Sequence, residues 1–367
     1  MHLPHIWLRA ETKPGEARRA LAPEDARQLL DAGYTVSVER SGQAAIPDED
    51  YADVGCDMSQ AGSWSSAPDD CYILGLKELP EVPETLVHRH IYFAHAFKQQ
   101  RGWESLLLRF MRGGGELLDL EYLVDDSGRR LAAFGYWAGY VGAALAVQAW
   151  CRQRLGAEPV LEPLAPWPQQ QALLDDTRHL LERAGGALSG RPRMLVIGAG
   201  GRVGSGALAL AGDLNLSTTP WDIAETAVGG PFAEILEHDL LVNCVLSDRP
   251  IAPFVTPAML TQHARALSVI ADVSCDPYGD HNPLPLYDNC TTLAAPTIAL
   301  HGSPQPLHLI AIDHLPALLP RESSEDYSRQ LLPVLLQLGA DEDGIWARAA
   351  QLFRQKCSEL ATGNPDQ

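Results

Sequence analysis

The chain has 367 residues, 46% of them hydrophobic, enough for two ordinary domains with sizeable cores. Its 28 Lys and Arg against 47 Asp and Glu leave a formal charge of −19, which argues against a nucleic-acid partner or an anionic membrane surface, since either needs a basic face. Seven scattered cysteines without a CxxC pair fit a reducing, cytoplasmic setting and give no zinc or redox signature, and no apolar run has the ~18 residues of a membrane span.

Taken in chain order, HIWLRAE reads as a strand. PEDARQLLDAG reads as a helix, with Pro23 near its first turn and Gly33 past its end. YTVSVE alternates like a half-buried strand, and CYILGL, IYFAHAF and LLDLEYLV are further apolar runs of strand length. WESLLLRFMRGG is a helical stretch between them, and DDSGRR a turn. HRH at 88–90 reads as a polar helix end rather than a metal site, and no metal is expected elsewhere. This alternation predicts a mostly parallel, doubly wound sheet.

Residues 136–155, YWAGYVGAALAVQAWCRQRL, form one long helix whose Gly and Ala content predicts close packing against another element. A second doubly wound sheet begins at 194–206, MLVIGAGGRVGSG, where a strand runs into a glycine-rich turn and a helix. STTPWD, DLLVNCV, SVIADVS and LHLIAIDH continue it as strands, and the C-terminal helices return to the first domain.

The glycine turn carries chemistry. Gly198, Gly201 and Gly204 fit a variant of the dinucleotide fingerprint, with Val203 where the usual spacing wants Gly or Ala. Such a turn lets backbone N–H groups approach a pyrophosphate at a helix N-terminus, and Arg202 adds a side-chain contact. Asp222 lies 18 residues beyond Gly204, at the end of the next strand. An acid there accepts the ribose hydroxyls of NAD and repels the 2′-phosphate of NADP. Thr226 lies near enough to line the adenosine side.

In open α/β sheets ligands bind outside the carboxyl ends of the strands. The first half of the chain puts Lys77 and His95 at such ends, with Lys13, Arg18, Lys98, Arg129 and Arg130 nearby. An amine and an imidazole ringed by cations suit a substrate with several carboxylates and acid–base chemistry. A lysine among cations has a lowered pKa, the direction that proton transfer near neutral pH needs.

The stretches LRAETKPGEARRAL, LGLKELPE, FAHAFKQQRGW, GRRLAAFGYWAGYVGAAL, GAGGRVGSGA, WDIAET, DVSCD and IDHLPALLPRE together resemble the NAD-dependent, lysine-forming saccharopine dehydrogenases of fungal type, relatives of alanine dehydrogenase. The resemblance implies an α/β fold of two Rossmann-like doubly wound domains with an interdomain cleft. Residues 1–135 plus about 320–367 would form the substrate domain, and 136–319 the NAD-binding domain. It implies that saccharopine, NAD and water give lysine, 2-oxoglutarate and NADH, with Lys77 and His95 as the acid–base pair. Lys13, Arg18, Lys98, Gln100, Arg130 and Phe134 would serve the substrate. Arg129, Gly198, Gly201, Arg202, Gly204, Asp222, Thr226, Leu246, Val273 and Asp313 would serve NAD. Val203 replaces a cysteine that pairs with a later one in fungal members, so Cys244 is expected to lack that partner. A monomer or weak homo-oligomer is expected. The other readings are a related opine-type or alanine-dehydrogenase-like oxidoreductase, and a nucleotide-sensing protein without turnover.

Overall fold

The computed structural model describes residues 3–363, apart from Gln99, 188–189, Asp248, His263, Asp280, 303–304 and 340–343. The chain divides into two compact units, Met1–Ala133 with Ser323–Gln367, and Phe134–Glu322. Among the described residues no helix is long and apolar enough to cross a membrane.

The first unit holds strands β1 (His5–Leu8), β2 (Thr35–Glu39), β3 (Asp57–Ser59), β4 (Tyr72–Leu74), β5 (Arg89–Tyr92) and β6 (Glu116–Asp119). They pair in the order β3-β2-β1-β4-β5-β6, all parallel. The order reverses between β1 and β4, the switch point at which a crevice opens outside the strand ends. Helices α1 (Pro23–Asp31), α2 (Asp48–Asp53) and α3 (Trp103–Gly113) lie between strands. Pro23 starts α1 where its missing N–H costs nothing, and Gly33 follows its end at φ +93°.

The run IYFAHAF is not one strand. β5 stops at Tyr92, and His95 takes φ +53°, a left-handed conformation that no extended chain passes through. A short 3₁₀ turn, Ala96–Lys98, follows. HRH is not a helix end but the entry to β5, with His88 and His90 buried. His90 stands edge-on to Trp64 and Phe110 at ring separations of 5.2 and 5.3 Å. Burial holds it neutral, well below the usual imidazole range.

The second unit opens with α4 (Gly135–Arg154) and α5 (Gln170–Ala187). Its sheet comprises β7 (Arg193–Ile197), β8 (Ser217–Trp221), β9 (Leu240–Asn243), β10 (Val269–Asp272), β11 (Ile298–His301) and β12 (Leu307–Ile310). The order is β11-β12-β10-β9-β7-β8, parallel except for the β11–β12 pair. Its switch point lies between β7 and β9. Helices α6 (Arg202–Asp213), α7 (Ile223–Thr226) and α8 (Pro257–Gln262) lie between strands. The small residues of α4 let it touch α6 backbone to backbone: a Cβ on Gly139 would stand 1.8 Å from the Val203 carbonyl oxygen, and one on Gly206 1.8 Å from that of Tyr136. Val203 itself lies over Gly135, whose Cβ would stand 3.2 Å from the valine methyl.

Helices α9 (Pro320–Leu335) and α10 (Ile345–Thr362) close the chain. α10 packs on the first sheet, where Phe353 meets Phe110 edge-on at 5.6 Å and Arg354 bonds Glu116 at 3.0 Å.

Candidate active site

All six strands of the first sheet are parallel, so β1, β4, β5 and β6 deliver their following loops to one end. Lys77 comes three residues after β4 and is held by its backbone. Glu11, in the loop after β1, accepts from the Leu76 and Lys77 N–H groups at 2.6 and 2.9 Å. Arg9, buried beside Glu11 at 3.3 Å, donates to the Lys77 carbonyl oxygen. Its path crosses Gly75, where a Cβ would stand 2.5 Å from Arg9 Nε.

Lys77 Nζ has no ion pair or hydrogen bond among the described residues. Burial lowers its pKa, and the charges of Arg18 and Lys13 lower it further, against Glu16 and Glu78. Arg18 is engaged by a residue the sequence reading did not single out: its Nε and Nη2 bond the two oxygens of Glu16 at 2.7 and 2.6 Å, and both side chains are buried. Burial pushes the Glu16 carboxyl up, and the bonds from Arg18 outweigh it, leaving it lowered. Lys13 stands 3.6 Å from Glu78 at an exposed position.

His95 is turned by its left-handed backbone toward β6. Its Nδ1 lies 3.2 Å from Glu121 Oε2, and Lys98 Nζ donates to Glu121 Oε1 at 2.6 Å. A carboxylate only accepts, so the Nδ1 proton points at Glu121 and Nε2 is the nitrogen left for chemistry. The hydrogen bond to Glu121 raises the His95 pKa against burial, while the Lys77 charge lowers it. Glu121 in turn is held down to about 2, first by His95 and then, against burial, by Lys98. Asp119, at the end of β6, accepts the Glu121 N–H at 3.0 Å and fixes that loop. Burial pushes its own carboxyl up to about 6.

A cavity of about 610 Å³ lies within this unit. His95 and Gln100 line it together with two acids, Glu78 and Glu81, and two arginines, Arg101 and Arg109. Arg129 and Arg130 lie exposed on a hairpin whose turn is tied by Asp125, which accepts the Arg129 N–H at 2.9 Å. Phe134 belongs to the second unit, at the start of α4, while Arg129 belongs to the first.

In the second unit the glycines have separable reasons. Gly198 takes φ +83° and faces the Cys244 carbonyl, and a Cβ on Gly204 would stand 2.2 Å from the Gly198 oxygen. Gly200 faces Asp222, whose Oδ2 accepts the Gly200 N–H at 2.7 Å. Gly201 differs, since a Cβ there meets nothing nearer than the Gly198 oxygen at 3.4 Å. Gly201 is also the N-cap of α6 and offers the helix no side-chain cap. Asp222 caps α7, accepting the Ile223 N–H at 2.8 Å, and its carbonyl receives the Thr226 hydroxyl at 2.9 Å. Ile223 and Leu246, after β8 and β9, are large apolar side chains 79% and 65% exposed. Val273 follows β10 and packs against α4, where a Cβ on Gly142 would stand 2.6 Å from its methyl, and Asp313 is exposed three residues after β12. Cys244 is a free thiol, as are the other cysteines.

Residues 7–141 match the family described as alanine dehydrogenase/PNT, N-terminal domain. The chain is 50% identical over 369 residues to the saccharopine dehydrogenase (NAD(+), L-lysine-forming) of Emericella nidulans, covering 97% of this chain and 98% of that protein. It is 46% identical over 371 residues to the enzyme of the same name from Schizosaccharomyces pombe, covering 98% and 100%. Among solved structures an L-alanine dehydrogenase superposes with a TM-score of 0.64 at 19% identity, over 98% of this chain and 94% of that one. A transhydrogenase from Sinorhizobium meliloti superposes with a TM-score of 0.62 at 17% identity, over 91% and 94%. At those identities the two structures speak to the fold, which is α/β with two Rossmann-like sheets.

Proposed function

The chain belongs to the NAD-dependent, lysine-forming saccharopine dehydrogenases, and from that premise we propose how its side chains divide the reversible oxidative deamination of saccharopine to L-lysine and 2-oxoglutarate. The observation that carries the assignment lies at the strand ends of the first sheet: a half-buried lysine whose amine has no ion pair or hydrogen bond among the described residues, close enough for its charge to act on a histidine whose Nδ1 is fixed by Glu121.

Lys77 takes the proton of the secondary amine. Burial and cationic neighbours favour its neutral form, and the Glu11–Arg9 clamp on its backbone fixes where the chain leaves β4. His95 takes a proton from the water that attacks the substrate's imine carbon, using Nε2, and a proton then returns to the departing lysine amine. Glu121 orients the ring and stabilises its charged form. Arg18 and Arg130 serve substrate carboxylates, with Lys13, Lys98 and Gln100 completing the site. The acids and arginines that line the 610 Å³ cavity give both signs of charge, which suits the zwitterionic end of an amino acid.

The second unit fits NAD. Gly201 is a glycine that the protein's own packing does not demand, at an uncapped helix start, where a pyrophosphate would need close backbone approach. NAD, when bound, supplies the hydride acceptor. Gly198, Gly201, Gly204 and Arg202 would hold its pyrophosphate and Asp222 its ribose, each carboxylate oxygen keeping a lone pair beyond its present bond. Ile223 and Leu246 offer apolar surface for the adenine, with Thr226, Val273 and Asp313 as further contacts. The free thiols support a reducing, cytoplasmic setting.

The test is NADH formation, read at its absorbance band, when purified protein is given saccharopine and NAD. Turnover of saccharopine well above that of alanine or simple opines supports the reading. A clear preference for one of those other substrates sinks it.

A further inference from the structure

Cys275, three residues beyond the end of β10, and Cys290, 15 residues later, bring their Sγ atoms to 3.0 Å. Cys275 Sγ also donates to the Ala311 carbonyl oxygen at 3.1 Å. Its backbone takes φ +49°, a conformation that L residues with a Cβ adopt rarely, and its N–H is aimed at Asp272 Oδ1 at 3.3 Å. The loop is thus bent to present this sulfur to the other. Neither residue is fully buried, so small oxidants have access to both. A disulfide bond of ~2.05 Å needs about 1 Å of further approach.

We propose that Cys275 and Cys290 form a reversible disulfide that fastens the loop after β10 to the segment leading into Thr291. That segment is itself bound to the end of β12, since the Thr291 N–H donates to Ala311 O at 2.8 Å and Thr291 bridges Ile312. The bond would join a loop residue two positions from Val273 to a segment paired with Ala311, which is two positions from Asp313. The oxidant is a low-molecular-weight disulfide such as oxidised glutathione. The thiolate of one cysteine attacks it, forming a mixed disulfide and releasing one thiol. The second cysteine then displaces the other thiol and closes the S–S bond. Two S–H bonds are lost, and the oxidant leaves as two thiols carrying the two electrons and two protons. Burial and the neighbouring Cys290 hold Cys275 protonated, so the exchange speeds up as pH rises.

The experiment treats the full chain with oxidised glutathione, then counts thiols under denaturing conditions and maps the linked peptides. The expected result is a fall from seven free thiols to five, a linked pair of peptides containing Cys275 and Cys290, and return to seven with dithiothreitol. Cys290→Ser and, separately, Cys275→Ser should keep every remaining thiol under the same treatment. Hydrogen exchange in peptides covering residues 281–291 should slow in the oxidised protein and recover on reduction. A thiol count that stays at seven, a different linked pair, or loss of two thiols in Cys290→Ser would overturn the proposal. Formation of the bond with unchanged exchange would overturn its fastening role. None of these readouts depends on substrate turnover.

Discussion

At the carboxyl ends of the first sheet, acidic side chains do the tying, within the loop after β1, from that loop to the one after β4, and between the loops after β5 and β6. Glu11 grips the Lys77 backbone, Glu16 holds Arg18, and Glu121 joins His95 to Lys98. At the same ends of the second sheet the work falls to backbone. Glycines at 198, 200 and 204 clear space for carbonyls and for Asp222, and α6 starts without a side-chain cap. Two sheets of like topology thus present one end of their strands in two manners. One tunes proton affinity through neighbouring charges, and the other offers N–H groups through the absence of Cβ atoms. The first should therefore respond to pH and to changes of charge, the second to added volume.

The sharpest division comes from removing the two ionisable groups that carry the proposed chemistry. Lys77→Met combined with His95→Gln should lower kcat/KM for saccharopine by ~10²–10⁴-fold, the scale of general acid–base catalysis. NAD affinity, measured by calorimetry, should stay within about twofold. Comparable loss of NAD binding would break the division between the two units.

Next in size is the reverse experiment. Gly204→Ala forces a Cβ to within 2.2 Å of the Gly198 carbonyl oxygen, backbone against backbone, where no side chain can swing aside. A stability loss of ~1–3 kcal/mol by urea unfolding is expected, with NAD affinity falling too.

Glu121→Gln tests the charge chain more gently. The hydrogen bond to the Glu121 carboxylate is the largest influence raising His95; a glutamine keeps an acceptor but not the charge, so the imidazole loses its proton more easily. The acid limb of the kcat/KM profile should move to lower pH, and the optimum rate should fall roughly tenfold, the weight of one charge-assisted hydrogen bond. An unmoved limb would detach His95 from the pH dependence.

Asp119 and Glu121 act on stability with opposite signs. Glu121, held down to about 2, contributes stability that is present above the ordinary carboxyl range and lost as pH falls through about 2. Asp119, pushed up to about 6, takes up its proton more readily folded than unfolded, so it penalises the fold above that pH and the penalty fades as it protonates. Asp119→Asn keeps an acceptor for the Glu121 N–H and removes the charge. A gain on the order of 1 kcal/mol at pH 7, absent at pH 4, should appear in urea unfolding.

How far the sequence showed this depends on whether a residue's meaning is local. The glycine turn, Asp222 at the following strand end and the long small-residue helix are local patterns, and each was readable. The family resemblance supplied the rest of the expectation. The acids were not readable, since Glu121 meets His95 across 26 residues and Glu11 meets Lys77 across 66. Among 47 acids nothing in spacing marks those two. The extent of β5 was misread at both ends, each time at a histidine. Pattern reading treats His as surface, so it missed the buried His90, and it cannot see the left-handed turn at His95. The antiparallel edge strand β11 was also unread, being short and fixed only by its pairing with β12.

The smallest effect expected is the most discriminating test of the second region. At Gly201 an added methyl meets only the Gly198 oxygen, at 3.4 Å, ordinary van der Waals contact. The φ of −80° there is open to any residue. Gly201→Ala should therefore lower stability by no more than ~1 kcal/mol, the scale of exchanging glycine for alanine at a helix N-cap. If the glycine is there for a ligand, the methyl meets the pyrophosphate instead, and NAD affinity should weaken about tenfold, the scale of one lost hydrogen bond or one forced gap. Unchanged affinity would mean that the approach lies elsewhere along the turn. A stability loss equal to that of Gly204→Ala would mean that the turn is a structural device throughout, and the contrast between its glycines would disappear.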